Sequence, residues 1–231
     1  IFWEGPMAVL VNRLSASASE IFAGAVQDYG RGLVIGSQTF GKGTVQALLP
    51  VNQGQLKLTI AKFYRISGQS TQHQGVIPDI QFPSAFDPNI IGESALETAL
   101  PWDQIRSLRY RPIDRLQART SQLIDRHQAR VATDPNFKAL LKRTERALEL
   151  RGEKGISLHL ETRINERETN KKALLKIENI RRSDLGLPAI ESMSEIESEG
   201  NDFDPTDDAS LMESARILLD EIQINPRLAG L

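Results

Sequence analysis

The sequence predicts an α/β core built on a β-α-β unit, followed by a mainly α-helical C-terminal domain. Two short apolar runs, Met7–Val11 and Gly32–Gly36, have the length and composition of buried strands. Between them, residues 17–29 carry apolar side chains at helical spacing, and glycines follow. After Pro83 charged residues become dense and helical periods dominate. A strand, a helix and a second strand in this order favour a parallel pair joined by a right-handed crossover.

Two further strands are predicted after the β-α-β unit. Residues 45–49 form an extended apolar segment that ends at Pro50, and the turn Asn52-Gln-Gly54 follows. In the next segment apolar residues alternate with Lys57, Thr59 and Ala61, which predicts a half-buried strand. The apolar members of that alternation are Leu56, Leu58 and Ile60.

The C-terminal part carries helix signals. Asp134-Pro135 is typical of a helix start, with Asp134 as the cap and Pro135 in the first turn. The apolar stripe that follows consists of Phe137, Leu140, Leu141 and Leu148. A second helix is predicted over roughly Glu168–Arg181, and a final helix carries a stripe of Leu211, Ala215, Leu218 and Ile222.

An acidic segment interrupts the helical part. Residues 191–208 contain eight acidic residues and neither lysine nor arginine, which predicts a solvated, disordered stretch over residues 189–208. The predicted organisation is therefore a core over residues 1–84, a linker over 85–100 and a helical domain over 101–231.

Composition limits the classes of function. The 231 residues carry a net charge of -2, which argues against a nucleic-acid binder and against a membrane-surface protein. No apolar run reaches the roughly 18 residues that a membrane span requires. The sequence has no cysteine, which excludes thiol catalysis, disulfides and cysteine-ligated metal.

Ser17 is the first candidate for chemistry, and it has two interpretations. It lies where a predicted strand gives way to a helix, so its hydroxyl is close to unpaired N–H groups and to the positive end of the helix dipole. Such a position can stabilise a developing oxyanion. However, Ser17-Ala-Ser-Glu20 also matches a capping box, in which both side chains only satisfy helix-end donors. The serine run alone favours the capping interpretation.

Lys42 supports the catalytic interpretation. A serine nucleophile needs a base, and the three histidines lie outside the β-α-β unit. A lysine can be that base where burial disfavours the charged form of its amine. Lys42 lies between Gly41 and Gly43, after the second predicted strand, whereas Ser17 follows the first. Because parallel strands bring their carboxyl ends to one edge, we expect Ser17 and Lys42 to face each other, with the Gln46 amide oxygen orienting the lysine amine.

The glycine-rich turn has a rival interpretation as a phosphate-binding loop. Residues 36–42 follow a strand and begin like the pattern G-x-x-x-x-G-K-[ST]. However, Gly43 stands where a serine or threonine should bind magnesium, and the segment that follows is predicted to be extended rather than helical. Nucleotide binding is therefore disfavoured.

Four sequence blocks, in the same order over residues 7–82, resemble the C-terminal processing peptidases. They are NRLSASASEI at residues 12–21, TFGKGTVQ at 39–46, KFYRISG at 62–68 and GVIPDI at 75–80. The charged helical part, with ALPWD at 99–103 and ATDPNF at 132–137, resembles the extension of the tail-specific protease branch of the Gram-negative periplasm.

The resemblance implies a Ser-Lys serine endopeptidase that needs no metal and no cofactor. Matched position by position, the nucleophile is Ser17, the general base Lys42 and the assisting residue Gln46, and the Ala18 backbone N–H is one oxyanion donor. The second donor and the substrate-recognising PDZ domain are expected upstream of Ile1. Residues 1–84 then correspond to an incomplete protease core, and residues 1–231 alone are expected to be inactive.

The resemblance also implies partners and a location. Protein substrates recognised by their C-termini and an adaptor protein are the expected partners, with no nucleic acid, and the expected location is the periplasm. An alternative remains open at this point, in which the chain is a non-catalytic scaffold or adaptor-docking piece and its serine only caps a helix.

Overall fold

The computed structural model describes residues 3–113, 116–153, 155–195 and 205–225. The elements of its α/β part are, in chain order, β1 (Ala8–Val11), α1 (Ala18–Asp28), β2 (Leu33–Gly36), β3 (Thr44–Val51), β4 (Gly54–Lys62) and β5 (Ile80–Gln81). β1 and β2 pair in parallel over their full length, and β5 pairs in parallel with the other edge of β2. The predicted β-α-β unit is confirmed.

β2 is the centre of the core because it has a neighbouring strand on both sides. Successive side chains of a strand point to opposite faces, so β2 contributes to two apolar clusters. Leu33 and Ile35 pack with Ile80 on one face. Val34 lies on the other face and packs with Val11, Val76 and Ala23 of α1. By contrast β1 is an edge strand of this sheet, and Leu10 is 45% exposed, so the predicted full burial of residues 7–11 is wrong.

β3 and β4 form an antiparallel hairpin with an irregularity between Val45 and Gln46. Both predicted strands are confirmed, but the predicted half-burial of the second strand is wrong. Its three apolar residues, Leu56, Leu58 and Ile60, are between 46% and 60% exposed. The alternation of apolar and polar residues predicts a strand with one apolar face, but it does not determine whether a second layer covers that face.

The helices of the C-terminal part are α2 (Gln117–Val131), α3 (Pro135–Gly152), α4 (Leu160–Asp184) and α5 (Ala209–Ile224). α3 begins as predicted, because the Asp134 carboxylate accepts a hydrogen bond of 2.9 Å from the Phe137 N–H. α4 extends beyond both ends of the predicted segment. Within the described ranges, no helix is long and apolar enough to cross a membrane.

α5 is confirmed as a helix, and its most buried positions are not the four apolar residues that predicted it. Ala215 of the predicted stripe is exposed, and the buried positions of the helix include Glu213, Ile217 and Glu221. Two of these are carboxylates that can be buried because basic side chains pair with them. Arg130 lies 2.8 Å from Glu213, and Arg119 lies 2.7 Å from Glu221.

The chain divides into two compact units, residues 1–124 with 216–231, and residues 125–215. Residues 85–124, which the sequence assigned to a linker and to the start of the helical domain, therefore belong to the same unit as the α/β core. Of the stretch predicted to be disordered, residues 196–204 lie outside the described ranges. The described remainder includes a short 3₁₀ turn, Pro205–Asp207, and the buried Ile190.

Candidate active site

Ser17 is the residue that directly precedes α1, as predicted, and its backbone conformation is unusual. Its φ is 59° and its ψ is -115°, whereas an ordinary N-cap residue has extended backbone. A non-glycine residue in such a region stores about 1–3 kcal/mol of strain. The hydroxyl approaches the Glu20 N–H as in a capping box, but it forms no cap hydrogen bond of normal geometry. Capping alone does not account for this conformation.

The Ala18 N–H, predicted as an oxyanion donor, lies at the first position of α1. Among the described residues it donates to no protein acceptor, and Ala18 is exposed. Unpaired N–H groups at a helix N-terminus carry the positive end of the helix dipole. The position therefore offers a free donor next to the Ser17 hydroxyl.

Lys42 lies in the loop between β2 and β3, and residues 40–43 of this loop are here called the lysine turn. The turn packs against the backbone of residues 72–73. A Cβ atom on Gly41, whose φ is +93°, would lie 2.8 Å from the His73 carbonyl oxygen. A Cβ atom on Gly43 would lie 2.5 Å from the Gln72 nitrogen. Close packing therefore requires glycine at both positions. The half-buried Lys42 is the single residue between them.

The carboxylate of Glu20 brings the backbones of Ser17 and Lys42 together, whereas no hydrogen bond among the described residues joins the Ser17 Oγ to the Lys42 Nζ. Its Oε2 accepts from the Ser17 N–H at 2.8 Å and from the Lys42 N–H at 2.9 Å. Its Oε1 accepts from the Gly41 N–H at 2.7 Å and from the Thr39 hydroxyl at 2.5 Å. Two donors that share one acceptor oxygen lie within roughly 6 Å of each other, so the backbones of Ser17 and Lys42 are neighbours.

Glu20 is fully buried, and this affects its titration. Burial raises the pKa of the Glu20 carboxyl above its ordinary value, and the hydrogen bonds from Thr39, Gly41, Ser17 and Lys42 oppose that rise without cancelling it. The sequence identified Glu20 only as a capping-box residue and missed its contacts with the lysine turn. The signal was the glycine-rich turn itself, because backbone N–H groups buried in such a turn need an acceptor.

Two further contacts join residues 12–17, which lie between β1 and α1, to the lysine turn and to Thr39 directly before it. The Phe40 N–H donates to the Ser15 carbonyl at 2.9 Å. Arg13, only 1% exposed, donates to the Thr39 carbonyl and to the Ile91 carbonyl at 2.5 Å. Sequence reasoning missed Arg13, because a single basic residue beside a serine run gives no periodic signal.

Gln46 lies on β3 and is exposed, with its Nε2 donating to the Thr59 hydroxyl at 3.4 Å. Among the hydrogen bonds of the described residues, Gln46 has none with Lys42. Its assisting role therefore stays a prediction. The phosphate-binding alternative is excluded, because residues 44–51 form a strand where that motif requires a helix.

The histidines do not form a second centre. His73 contacts the lysine turn through its backbone, donating to the Gly41 carbonyl at 2.7 Å. His127 pairs with the buried Glu213 at 2.9 Å, and His159 precedes α4. In the part of the chain that the structure describes, no group of three or more histidine, aspartate and glutamate residues could hold a metal ion.

Two family models match this chain. Peptidase family S41 matches residues 1–82, which contain Ser17, Glu20 and Lys42. The model described as the C-terminal domain of tail specific protease matches residues 86–223, more than half of the chain. The chain belongs to the tail-specific protease family. The resemblance stated from the sequence blocks is thereby confirmed.

Individual relatives agree with this family. The tail-specific protease of Haemophilus influenzae is 40% identical over 215 residues, which are 87% of this chain and 31% of that protein. The carboxy-terminal-processing protease of Bartonella bacilliformis is 54% identical over 78 residues, or 33% of this chain and 18% of that protein. Among solved structures, the photosystem II D1 C-terminal processing protease is 42% identical with a TM-score of 0.32, covering 37% of this chain and 21% of that one. The chain spans less than a third of the length of each of these relatives.

Proposed function

We propose that this chain carries the nucleophile and the general base of a serine endopeptidase with a Ser-Lys dyad. The enzyme processes or degrades proteins that it recognises by their C-termini. The observation that carries the proposal is the Glu20 carboxylate, which binds the backbone of Ser17 and the backbone of Lys42 through one oxygen. The match of residues 1–82 to a peptidase family supports the same reaction class.

The proposed reaction proceeds through an acyl-enzyme. The Ser17 Oγ attacks the carbonyl carbon of the scissile peptide bond while its proton moves to the Lys42 Nζ. The resulting oxyanion accepts a hydrogen bond from the Ala18 N–H at the N-terminus of α1. The C–N bond then breaks, and the Lys42 ammonium returns the proton to the leaving amine. A water molecule then attacks the ester carbon while one of its protons moves to the Lys42 Nζ, the bond between that carbon and the Ser17 Oγ breaks, and the lysine returns the proton to the Ser17 Oγ.

The backbone of Ser17 favours this proposal over a non-catalytic scaffold. A serine that only caps a helix needs neither left-handed backbone nor a lysine turn bound to the same carboxylate. Strained backbone of this kind collects at functional sites, where the surrounding contacts hold it in place. The free Ala18 N–H supplies the third group that acyl transfer requires.

The proposal extends to the setting of the enzyme. We assign its action to the Gram-negative periplasm, with protein substrates and an adaptor protein as partners. Two bacterial relatives, named as a tail-specific and a carboxy-terminal-processing protease, support the C-terminal processing of substrates. Cell fractionation and crosslinking of the complete gene product test the location and the adaptor.

Alanine substitution in the serine run tests the dyad. In the complete gene product, Ser17→Ala and Lys42→Ala should each lower cleavage of an unfolded protein substrate by about 10³-fold or more, because nucleophile and base act as a unit. Ser15→Ala and Ser19→Ala are the matched controls. Their hydroxyls make only local contacts, with the Asn12 N–H and the Ala16 carbonyl, so these variants should keep most of the activity. An active Ser17→Ala enzyme, or an inactive Ser19→Ala enzyme with Ser17 dispensable, would refute the assignment.

Covalent labelling separates the enzyme from the scaffold. A fluorophosphonate probe should modify Ser17 in the complete gene product, and peptide mass spectrometry should locate the adduct. The Lys42→Ala variant should label much more slowly, because its serine has lost the base. A complete gene product that neither labels nor cleaves would favour the scaffold.

A further inference from the structure

Glu93 binds one end of the lysine turn directly and is connected to the other end through Gln72. Its backbone N–H donates to the Phe40 carbonyl at 2.9 Å, at the start of the turn. Its carboxylate Oε1 accepts from the Gln72 Nε2 at 2.9 Å, and the Gln72 Oε1 accepts from the Gly43 N–H at 2.8 Å, at the end of the turn. These three hydrogen bonds and the backbone of residues 40–43 form a closed ring that includes the backbone of Lys42.

The Gln72 side chain has little freedom to leave this ring. It is fully buried, and its own backbone N–H is fixed by the Ser70 hydroxyl at 3.0 Å. Both ends of its amide are used, one as acceptor and one as donor. A buried polar group that loses its partner carries the full cost of desolvation, so the ring favours a single arrangement.

Arg13 fixes the segment that contains Glu93. Its guanidinium donates to the Pro88 carbonyl at 3.1 Å and to the Ser94 hydroxyl at 3.2 Å, besides the Ile91 carbonyl. The fit is close, because a Cβ atom on Gly92 would lie 1.9 Å from the Arg13 Nη2. Glu93 is therefore held from one side by Arg13 and from the other by its bonds to the lysine turn.

We propose that Glu93 and Gln72 are positioning residues for Lys42. They bind the backbone at the two ends of the lysine turn, while Glu20 binds the N–H groups of Gly41 and Lys42 between them, and together these contacts set the position from which the proposed base acts. This inference rests on the proposed function, in which Lys42 is the base. Gln72 belongs to the residues matched by the peptidase family and Glu93 to those matched by the C-terminal domain. The proposed positioning pair thus takes one residue from each of the two matched regions.

The test uses variants of this pair in the complete gene product, with kcat and KM measured separately on a peptide substrate. Glu93→Ala should lower kcat about 10- to 100-fold and leave KM within about twofold, because a displaced base slows chemistry without weakening binding. Glu93→Gln should stay close to the parent, since a glutamine oxygen can still accept from Gln72. The exposed Glu97, four residues along, provides the control Glu97→Ala, which should have no effect.

Exchanging the Gln72 and Glu93 side chains tests their direct interaction more specifically than removing either one, because the exchange should restore kcat. Gln72→Glu alone places two carboxylates together and removes the donor to Glu93, so kcat should fall as in Glu93→Ala. The double variant Gln72→Glu/Glu93→Gln restores both bonds. The new glutamine donates to the new glutamate, whose second oxygen still accepts from the Gly43 N–H. The kcat of the double variant should return to within about threefold of the parent, a non-additivity that shows direct coupling.

Each outcome decides the inference. It is overturned if folded Glu93→Ala keeps the parental kcat, or if the double variant is no better than Gln72→Glu. If Glu93→Ala fails to fold, the comparison between Gln72→Glu and the double variant decides alone. Ser17→Ala and Lys42→Ala are assayed in parallel. If these two are active, the proposed function itself fails, whereas inactive dyad variants beside a fully active Glu93→Ala refute only the positioning role.

Discussion

Replacing Glu20 by glutamine removes an acceptor from a buried site in which all four observed partners are donors. Three of them are backbone N–H groups, of Ser17, Gly41 and Lys42, and the fourth is the Thr39 hydroxyl. If the new amide nitrogen replaces Oε2, it faces the N–H groups of Ser17 and Lys42, and both lose their acceptor. If it replaces Oε1, the Thr39 hydroxyl can reorient to accept, but the Gly41 N–H is left without a partner. Either orientation therefore leaves at least one buried N–H unpaired.

The expected cost follows from these two orientations. One unsatisfied buried N–H costs about 1–3 kcal/mol. The neutral amide avoids part of the cost of burying a charge, which is the same effect that raises the pKa of Glu20. We therefore expect Glu20→Gln to lower the free energy of unfolding by about 1–3 kcal/mol. Glu20→Ala should cost more, since it removes both acceptor oxygens and leaves a cavity.

Urea unfolding followed by circular dichroism measures this difference, with Glu97→Gln as the exposed control. The fluorophosphonate labelling rate of the same variants reports whether Ser17 and Lys42 remain aligned. Both quantities should fall in Glu20→Gln and neither in the control. A glutamine variant that is as stable as the parent, or more stable, would refute the conclusion that the carboxylate organises the two loops.

Three further predictions concern single contacts. Gly43→Ala should destabilise the protein by more than about 1 kcal/mol and slow labelling, because its Cβ would lie 2.5 Å from the Gln72 nitrogen. The control Gly152→Ala places its Cβ in open space at the end of α3 and should be neutral or stabilising. Equal effects of the two substitutions in urea unfolding would contradict this prediction. Asp134→Ala should cost about 1 kcal/mol in thermal unfolding, since the Phe137 N–H loses its cap; an unchanged melting temperature would count against it. Burial alone raises the pKa of the Glu178 carboxyl, but the hydrogen bond and ion pair with Arg181 and the charge of Arg143 outweigh it, so the pKa lies below its ordinary value. The stability that Glu178 contributes is therefore complete above the unfolded-state pKa of about 4.3 and is lost as the pH falls through the lower folded-state pKa. The melting temperature should for that reason fall less steeply with decreasing pH in Glu178→Gln than in the parent. Parallel curves of melting temperature against pH would refute the pairing.

The elements that the sequence predicted well are those whose signal is local. The β-α-β unit follows from two apolar runs and one helical period within 36 residues, and α3 follows from its Asp-Pro start. Burial was predicted less well, because the exposure of a strand or helix face depends on whether another element packs against it. The alternation in β4 was interpreted as half-buried, yet its apolar residues are exposed. The buried positions of α5 include paired carboxylates, which an apolar pattern does not predict.

The candidate site shows the same limit. The closeness of the Ser17 and Lys42 backbones could be predicted because each residue follows the end of a predicted strand, and parallel strands bring these ends together. The residues that hold the two in place could not be found in this way. Gln72 lies 29 positions after its partner Gly43, Glu93 lies 53 positions after its partner Phe40, and neither residue belongs to a periodic pattern. Buried polar side chains of this kind become visible only when the donors and acceptors of a folded turn are matched one by one.

The capping contact at residues 17–20 and the position of the lysine turn depend on the same carboxylate in the structure. The Glu20 oxygen that accepts from the Ser17 N–H, as the carboxylate of a capping box does, is the same oxygen that accepts from the Lys42 N–H. A change that frays the first turn of α1 must therefore also release the lysine turn. The hydrogen bonds of Glu20 also offset the strain of about 1–3 kcal/mol that the left-handed backbone of Ser17 stores. Substitutions at this helix terminus should for that reason change stability and labelling rate together, whereas substitutions at Glu93 should change kcat with a smaller effect on stability. Measuring both quantities for Glu20→Gln and Glu93→Ala distinguishes a clamp that holds the fold together from one that only directs the base.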